Sequence, residues 1–280
     1  MLKLRLATAF VLAPAVLAGV VFLPNHLFAA FVFLLGAFGL YEWAGLTGIA
    51  NATNRIAYVC LAGLCMYALW LQSEWRMAVL VATSVFWLFA CLFVLLMASG
   101  SVGRRGSGRG NGDPLPGTRM RLTLMAPGGI LIFAGAWLGL VLLHASQDGH
   151  WLIVWAFALA WSVDTGAYFV GRAWGRNRLA PGVSPGKTWE GVAGGMCAGL
   201  AAGCGLAWAL GLGSLPEWAV VAVALSVVAV FGDLFESAIK RTSGAKDSGT
   251  ILPGHGGVLD RIDSTIAVVP VFALWAAVMM

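Results

Sequence analysis

Residues 151–172 read WLIVWAFALAWSVDTGAYFVGR, an apolar run with one carboxylate inside it. A helix crossing the roughly 30 Å hydrocarbon core of a bilayer needs about 20 mostly apolar residues, and 151–171 is such a run. At about 1.5 Å per residue, Asp164 stands about 12 Å before the helix end near Arg172. An ionisable group at that depth is costly, so it marks either a functional position or a structural ion pair between helices. On a helix, Asp164, Tyr168 and Arg172 recur at intervals of four and share one face, running from a buried acid to a surface cation.

The rest of the chain has the same character. Of its 280 residues, 60% are apolar and 10% are charged, against about 45–50% and about 25% in soluble globular proteins. Mean hydropathy is +0.87. These values exclude a water-soluble globule and a disordered chain. Stretches 6–23, 27–48, 56–72, 77–99, 122–143, 151–171, 191–212, 217–236 and 264–280 each qualify as a span. The expected fold is therefore all-α, a polytopic integral membrane protein with about nine transmembrane helices. Lys3 and Arg5 ahead of the first stretch give it the look of a signal peptide. Its length and the absence of a small-residue cleavage site at Pro24-Asn25-His26 favour a retained first helix. The seventh stretch carries Gly191, Gly194, Gly195, Gly199 and Gly203, which predicts a closely packed interior helix. Cys60, Cys65, Cys91, Cys197 and Cys204 all sit in apolar stretches without a CxxC spacing, so neither a disulfide framework nor a zinc site is expected.

Nine spans with the N-terminus cytoplasmic place every one of the 17 Lys and Arg residues on the inner side except Arg76, as the positive-inside rule requires. The C-terminus then lies outside. The net charge of +5 reflects this topology rather than a nucleic-acid surface. Residues 100–121 are rich in Gly, Ser and Arg and read as a flexible basic linker whose arginines touch anionic headgroups. It separates a four-helix part, 1–99, from a five-helix catalytic part, 122–280. Polar chemistry concentrates in two inner loops, near 172–190 and 237–263, so the activity is expected on the cytoplasmic face.

Residues 237–263 read SAIKRTSGAKDSGTILPGHGGVLDRID. Lys240, Arg241, Lys246, His255 and Arg261 supply cations or donors, and Asp247, Asp260 and Asp263 supply oxygen ligands. Asp260 and Asp263, at i and i+3 on the start of the last helix, can face one ion. Asp233, on the preceding helix, can complete the site. Hard divalent cations such as Mg²⁺ take carboxylate oxygens together with substrate phosphates. The Gly-rich run containing Gly256 and Gly257 exposes backbone N–H groups suited to an anion. Residues 182–190, GVSPGKTWE, form a small flexible loop in which Lys187 stands beside the hydroxyls of Ser184 and Thr188. Pro181 occupies the place of the first glycine of a P-loop, so that pattern fails, but a phosphate-cradling lysine remains. Glu42 has no comparable polar face and reads as structural. Together these features predict Mg²⁺-dependent phosphate chemistry on a lipid.

The spacing Ser237-x-x-Lys240-Arg241-x4-Lys246-Asp247-x5-Pro253-Gly254-His255-Gly256-Gly257-x-x-Asp260-Arg261-x-Asp263 resembles the signature of the phosphatidate cytidylyltransferases, or CDP-diacylglycerol synthases. The segment DTGAYFVGRAWGRNRLAPGVSPGKTWEG, beginning at Asp164, is similar to a second block of that family. The resemblance implies a reaction, CTP plus phosphatidate giving CDP-diacylglycerol plus pyrophosphate, in a multi-span inner-membrane enzyme that forms homodimers. It implies a divalent-metal centre corresponding here to Asp233, Asp260 and Asp263, with room for a second cation. On this reading Asp233, Asp260, Lys187, Lys240, Arg241 and Arg261 carry catalysis. Asp164, Ser184, Thr188, Ser237, Lys246, Asp247, His255, Gly256 and Gly257 bind substrate. Phosphatidate is expected to arrive through a cleft open to lipid between the sixth, eighth and ninth spans. Two other readings remain: a CTP-dependent enzyme acting on a different lipid, and an ion-coupled transporter using Asp164 and Asp233. The transporter would need a repeat and a midplane site, whereas the polar density is one-sided.

Overall fold

Hydrocarbon offers no partners to backbone N–H and C=O groups, so a spanning segment must satisfy them internally. This chain does so with helices. The computed structural model describes residues 13–99, 125–252 and 256–279. In order these form α1 (Ala13–Phe22), α2 (Asn25–Leu46), α3 (Ala52–Leu71), a 3-10 turn (Ser73–Trp75), α4 (Arg76–Ser99), α5 (Ala126–Ala145) and α6 (Gly149–Trp174). A hairpin of β1 (Arg178–Ala180) and β2 (Ser184–Thr188) follows, then α7 (Trp189–Leu210), α8 (Leu215–Thr242) and α9 (Leu259–Met279). Among the described residues, α2 to α9 are long and apolar enough to cross a membrane, and α1 is a shorter apolar helix. The protein is therefore a multi-pass membrane protein. The expected first span is described only from residue 13, and the linker 100–121 lies outside the described residues, as does His255.

The helix ends are set by local chemistry. Pro24, extended at φ −65°, precedes α2, where its missing N–H costs no helical bond. The Asn51 side chain accepts a bond from Thr53 N–H at 2.8 Å and starts α3. Arg76 bonds the carbonyls of Leu69 and Trp70 at 3.0 and 2.6 Å, closing α3 from the start of the next helix. Two helices outrun their apolar stretches. Helix α8 continues past residue 236 to Thr242, and α9 begins at Leu259, ahead of residue 264, with Asp260 and Asp263 in its first turns as their spacing led one to expect. At 28 residues, α8 is about 42 Å long and outruns the roughly 30 Å core. Lys240 and Arg241 stand in its last turns.

Helix α5 is buried around most of its circumference, which makes it the hub on which α2, α4 and α9 pack. Trp43 and Tyr58 bond the carbonyls of Met125 and Ala126 at its start, and Trp137 bonds Ala29 O at 2.9 Å deeper in. Phe235 of α8 lies against Trp43, Phe86 and Trp87, joining α8 to α2 and α4.

Helices α6 and α7 make the most intimate pair. A methyl group at Gly195 would lie 2.7 Å from Val163 O, and one at Gly191 would lie 2.9 Å from Ala167 O, so only glycine permits this backbone approach. The expectation of an interior α7 needs correction. Gly191, Gly195, Gly199, Gly203 and Ala207 recur every four residues and bury one face, while Trp208 is 76% exposed on another. The segment 182–190 is likewise not a free loop, because β2 pairs antiparallel with β1 from Arg178 opposite Thr188 to Ala180 opposite Ser184.

Candidate active site

Three elements converge at one end of the bundle: the last turns of α8, the first turn of α9 and the β-hairpin. Along α8, Asp233, Glu236, Ser237 and Lys240 fall at spacings of three and four and share a face. Asp263 faces them from α9. Carboxylate oxygens of Asp233, Glu236 and Asp263 all lie within 4.8 Å of one another. Glu236 is 3% exposed and Asp263 9%. Lys187, carried by β2, places its Nζ 2.6 Å from Asp233 Oδ2. Ser237 Oγ stands 3.5 Å from Asp233 Oδ1.

Asp260 faces a different set of partners from Asp263. Its Oδ1 meets Lys240 Nζ at 2.6 Å, and the same ammonium meets Glu236 Oε2 at 2.7 Å. Its Oδ2 accepts the backbone N–H groups of Ser248 at 3.0 Å and Gly257 at 2.8 Å. The expected triad of Asp233, Asp260 and Asp263 is therefore not the set that clusters. Glu236 joins Asp233 and Asp263, and Asp260 reaches that group through Lys240. The i, i+3 relation on α9 does put both aspartates on adjoining faces, but lysine reaching across from α8 separates their environments.

Asp164 of α6 accepts a bond from Ser264 Oγ at 2.8 Å, and Asp263 Oδ1 accepts the Ser264 N–H at 2.8 Å. Ser264 thus links the buried acid of α6 to the start of α9. Tyr168 and Arg172, expected on the same face as Asp164, pair with each other at 2.8 Å on the exposed end of α6. Glu42 of α2, read from sequence as structural, accepts bonds from Ser248 Oγ, Val258 N–H and Leu259 N–H at 2.9 to 3.1 Å.

The hairpin is held on several sides. Thr188 Oγ1 accepts the Gly191 N–H at 3.1 Å and caps α7, so this buried hydroxyl is already committed to the helix start. Glu190 takes the backbone N–H groups of Arg176 and Asn177 and the Asn177 amide. Arg178 bonds Pro185 O. Arg241 Nε reaches Val183 O at 3.3 Å, tying the hairpin turn to α8. Ser184 stands in β2, half-buried. Lys246 and Asp247 stand in the loop after α8. Asp247 neighbours Gly256, which takes φ +83° and pairs with Leu252.

A cavity of about 950 Å³ runs from this acidic centre into the bundle. Its head is lined by Asp164, Asp260, Arg261 and Asp263, and its length by apolar residues such as Val20, Phe31, Trp137 and Leu140. Helices α1, α2, α5, α6 and α9 form most of its walls, with Met66 of α3 also in the lining. Among the described residues, α8 supplies acids to the centre but none of the lining of this cavity, so the cavity does not coincide with the cleft expected between the sixth, eighth and ninth spans.

The donor set suits a hard divalent cation. Asp164, Asp233, Glu236, Asp260 and Asp263 bring more formal negative charge to this region than Lys187, Lys240 and Arg261 bring positive. Buried carboxylates in such excess call for a further cation. Glu236 Oε1 is buried without a hydrogen-bond partner among the described residues, an acceptor left over in a site made of oxygens.

A multi-pass bundle with a lysine-bridged acidic centre at the head of an apolar cavity defines a membrane-embedded enzyme for charged groups on hydrophobic molecules. The chain belongs to the cytidylyltransferase family, whose pattern it matches over residues 3–279. It is 44% identical to the phosphatidate cytidylyltransferase of Pseudomonas aeruginosa over 99% of this chain and 98% of that one. The protein of the same name from Haemophilus influenzae is 33% identical over 98% of both chains. That from Brucella suis is 36% identical over 99% of this chain and 94% of its own.

Proposed function

We propose that this chain transfers the cytidylyl group of CTP to phosphatidate, releasing pyrophosphate and forming CDP-diacylglycerol. The observation that carries this reading is the junction of charge and grease. Asp233, Glu236 and Asp263 converge within 4.8 Å where Lys187, Lys240 and Arg261 gather, at the mouth of a cavity otherwise lined by apolar side chains. A phosphate on a diacyl tail matches both halves.

In the reaction a phosphatidate phosphate oxygen attacks the α-phosphorus of CTP. The new P–O bond forms as the bond to the bridging α,β-oxygen breaks, and pyrophosphate leaves with that electron pair. The attacking oxygen is already ionised, so no strong general base is required. Asp233, Glu236 and Asp263 would hold the divalent cation, proposed to be Mg²⁺, and Asp164 is assigned to a second cation if one binds. When bound, the cation supplies Lewis-acid stabilisation of phosphoryl oxygens. Lys187 on the hairpin and Arg241, bonded to the hairpin turn, are assigned to the triphosphate, where they offset charge on the leaving group. Arg261, lining the cavity head, holds the lipid phosphate. Lys240 orients Asp260 and Glu236. Ser184, Ser237, Lys246, Asp247, His255, Gly256 and Gly257 are assigned to binding the nucleotide. Thr188, the last residue of β2, contributes by capping α7 where the hairpin joins it.

The same proposal places the centre on the cytoplasmic face of a bacterial inner membrane, with the N-terminus inside and the C-terminus outside. The basic residues support this by their crowding onto one side. The four-helix and five-helix division, the basic linker and the homodimer implied by the family resemblance remain parts of it. Purified protein in nanodiscs, given labelled CTP, Mg²⁺ and phosphatidate, is expected to produce a lipid-soluble label and to lose it when the metal is chelated. Label transferred only to a polyprenyl or ether-linked phosphate would assign a different lipid, and no transfer to any lipid would overturn the transferase reading.

A further inference from the structure

Glu42 lies on α2, far in sequence from every residue assigned above, yet it is 3% exposed and fully engaged with the loop that carries the site. Its Oε1 accepts the Val258 N–H at 3.1 Å, and its Oε2 accepts the Leu259 N–H at 2.9 Å and Ser248 Oγ at 3.0 Å. Leu259 opens α9, so these amides are among the unpaired donors at a helix start. The capping group usually stands just before the helix. Here it arrives from 216 residues away in the chain.

The loop is shaped to meet it. A methyl group on Gly249 or on Gly257 would run into the Glu42 carboxylate, so glycine is required at both points of contact. The same loop turns its Ser248 and Gly257 N–H groups onto Asp260 Oδ2. Asp260 holds Lys240, and Lys240 holds Glu236 of the acidic cluster. An unbroken series of bonds therefore leads from α2 to the proposed metal ligands.

We propose that Glu42 is a positioning residue for the reaction: from the N-terminal helices it fixes Ser248, Val258 and the first turn of α9, and thereby the orientation of Asp260 and Lys240. Glutamine cannot replace it, because one acceptor oxygen would become an NH₂ facing other donors. Support of this kind, from side chains behind those that touch the reactants, sets how accurately a site is held.

The test uses the full chain in nanodiscs, comparing Glu42→Gln and Ser248→Ala with the unaltered protein for kcat, for KM of CTP and for hydrogen–deuterium exchange. Glu42→Gln is expected to lower kcat about 100-fold, the scale of an ångström-sized misplacement, with KM for CTP within threefold. Exchange should quicken in 248–259 and stay unchanged in the other helices. Ser248→Ala should lower kcat about tenfold, as for one lost hydrogen bond to a carboxylate, with the same local exchange. Three results overturn the proposal: kcat within twofold in Glu42→Gln, lost activity with unaltered exchange in 248–259, or exchange rising across the whole bundle. If Glu42→Gln does not insert, Ser248→Ala decides by the same criteria. The activity arm rests on the transferase reading, whereas the exchange arm does not, so an inactive unaltered protein would sink that reading and leave the positioning role to the exchange data.

Discussion

Lys187 Nζ lies 2.6 Å from Asp233 Oδ2, and this ion pair pins the β-hairpin to the face of α8. Both side chains keep partial access to solvent, at 24% and 30%, so the pair adds under about 1 kcal/mol to stability. Its worth lies in aiming a cation. Lys187→Met should leave the thermal midpoint in detergent nearly unchanged while lowering kcat by about 10²–10³, the loss typical of one preorganised charge. A steady-state assay beside a melting curve checks both, and a fall in midpoint matching the fall in activity would show the lysine to be structural.

Lys240 should behave in the opposite way. At 12% exposure it bridges Glu236 and Asp260, and removing it leaves two carboxylates facing each other in a buried place. Lys240→Met is expected to cost about 3–5 kcal/mol, visible as a large drop in the midpoint followed by fluorescence-detected size exclusion. An unshifted midpoint would contradict the buried bridge.

The three clustered acids give a readout independent of turnover. Mn²⁺ titrated into the protein and followed by its electron paramagnetic resonance should bind at a site that Asp263→Asn and Glu236→Gln each weaken at least about tenfold, since both remove an oxygen ligand. Asp260→Asn should abolish turnover without preventing membrane insertion. If Asp260→Asn weakens Mn²⁺ more than Glu236→Gln does, the ligand set is the one expected from sequence and not the one that clusters in space.

The apolar cavity makes a prediction about chain length. Gly36 lines it, and a methyl group there would rest 3.6 Å from Phe133, an ordinary contact. Gly36→Ala is therefore expected to be silent. Gly36→Leu intrudes on the cavity and should raise KM for dioleoyl phosphatidate about tenfold, worth one or two displaced methylene contacts, while sparing a water-soluble short-chain substrate. Equal effects on both lipids would remove the cavity from the acyl path.

The basic linker offers a negative control. Replacing Arg104, Arg105 and Arg109 together by Gln should leave kcat within about threefold, because arginines of a Gly- and Ser-rich basic linker are expected to act on topology and headgroup binding more than on chemistry. A loss beyond about a hundredfold would place the linker in the site.

The membrane-spanning character was legible because apolar runs of about 20 residues match the thickness of the hydrocarbon core and are rare in water-soluble folds. Ends were less so. The last turns of α8 and the first turn of α9 are polar, and hydropathy gives no reason to extend a helix through Lys240 or Asp260. The hairpin escaped notice because Pro181, Gly182, Pro185 and Gly186 read as loop chemistry, and its pairing is held by Arg178, Arg241 and Glu190. Among the acids, Asp164 and Asp233 stood out as carboxylates inside apolar runs, and Asp263 by its i, i+3 spacing from Asp260. Glu236 was visible on the same grounds, three residues from Asp233, but its membership depends on which side Lys240 approaches from, and spacing along one helix does not carry that. Glu42 was the least readable, since its partners are backbone amides more than 200 residues away.

That long-range tie has a consequence for biosynthesis. The amides that Glu42 holds are synthesised only after α2 to α8, and pairing across so long an interval is slow to form. Every nascent chain short of α9 therefore lacks both Asp260 and Asp263, and exposes Glu42 without its donors. Such a chain cannot assemble the acidic centre, so any activity waits on the arrival of the last helix.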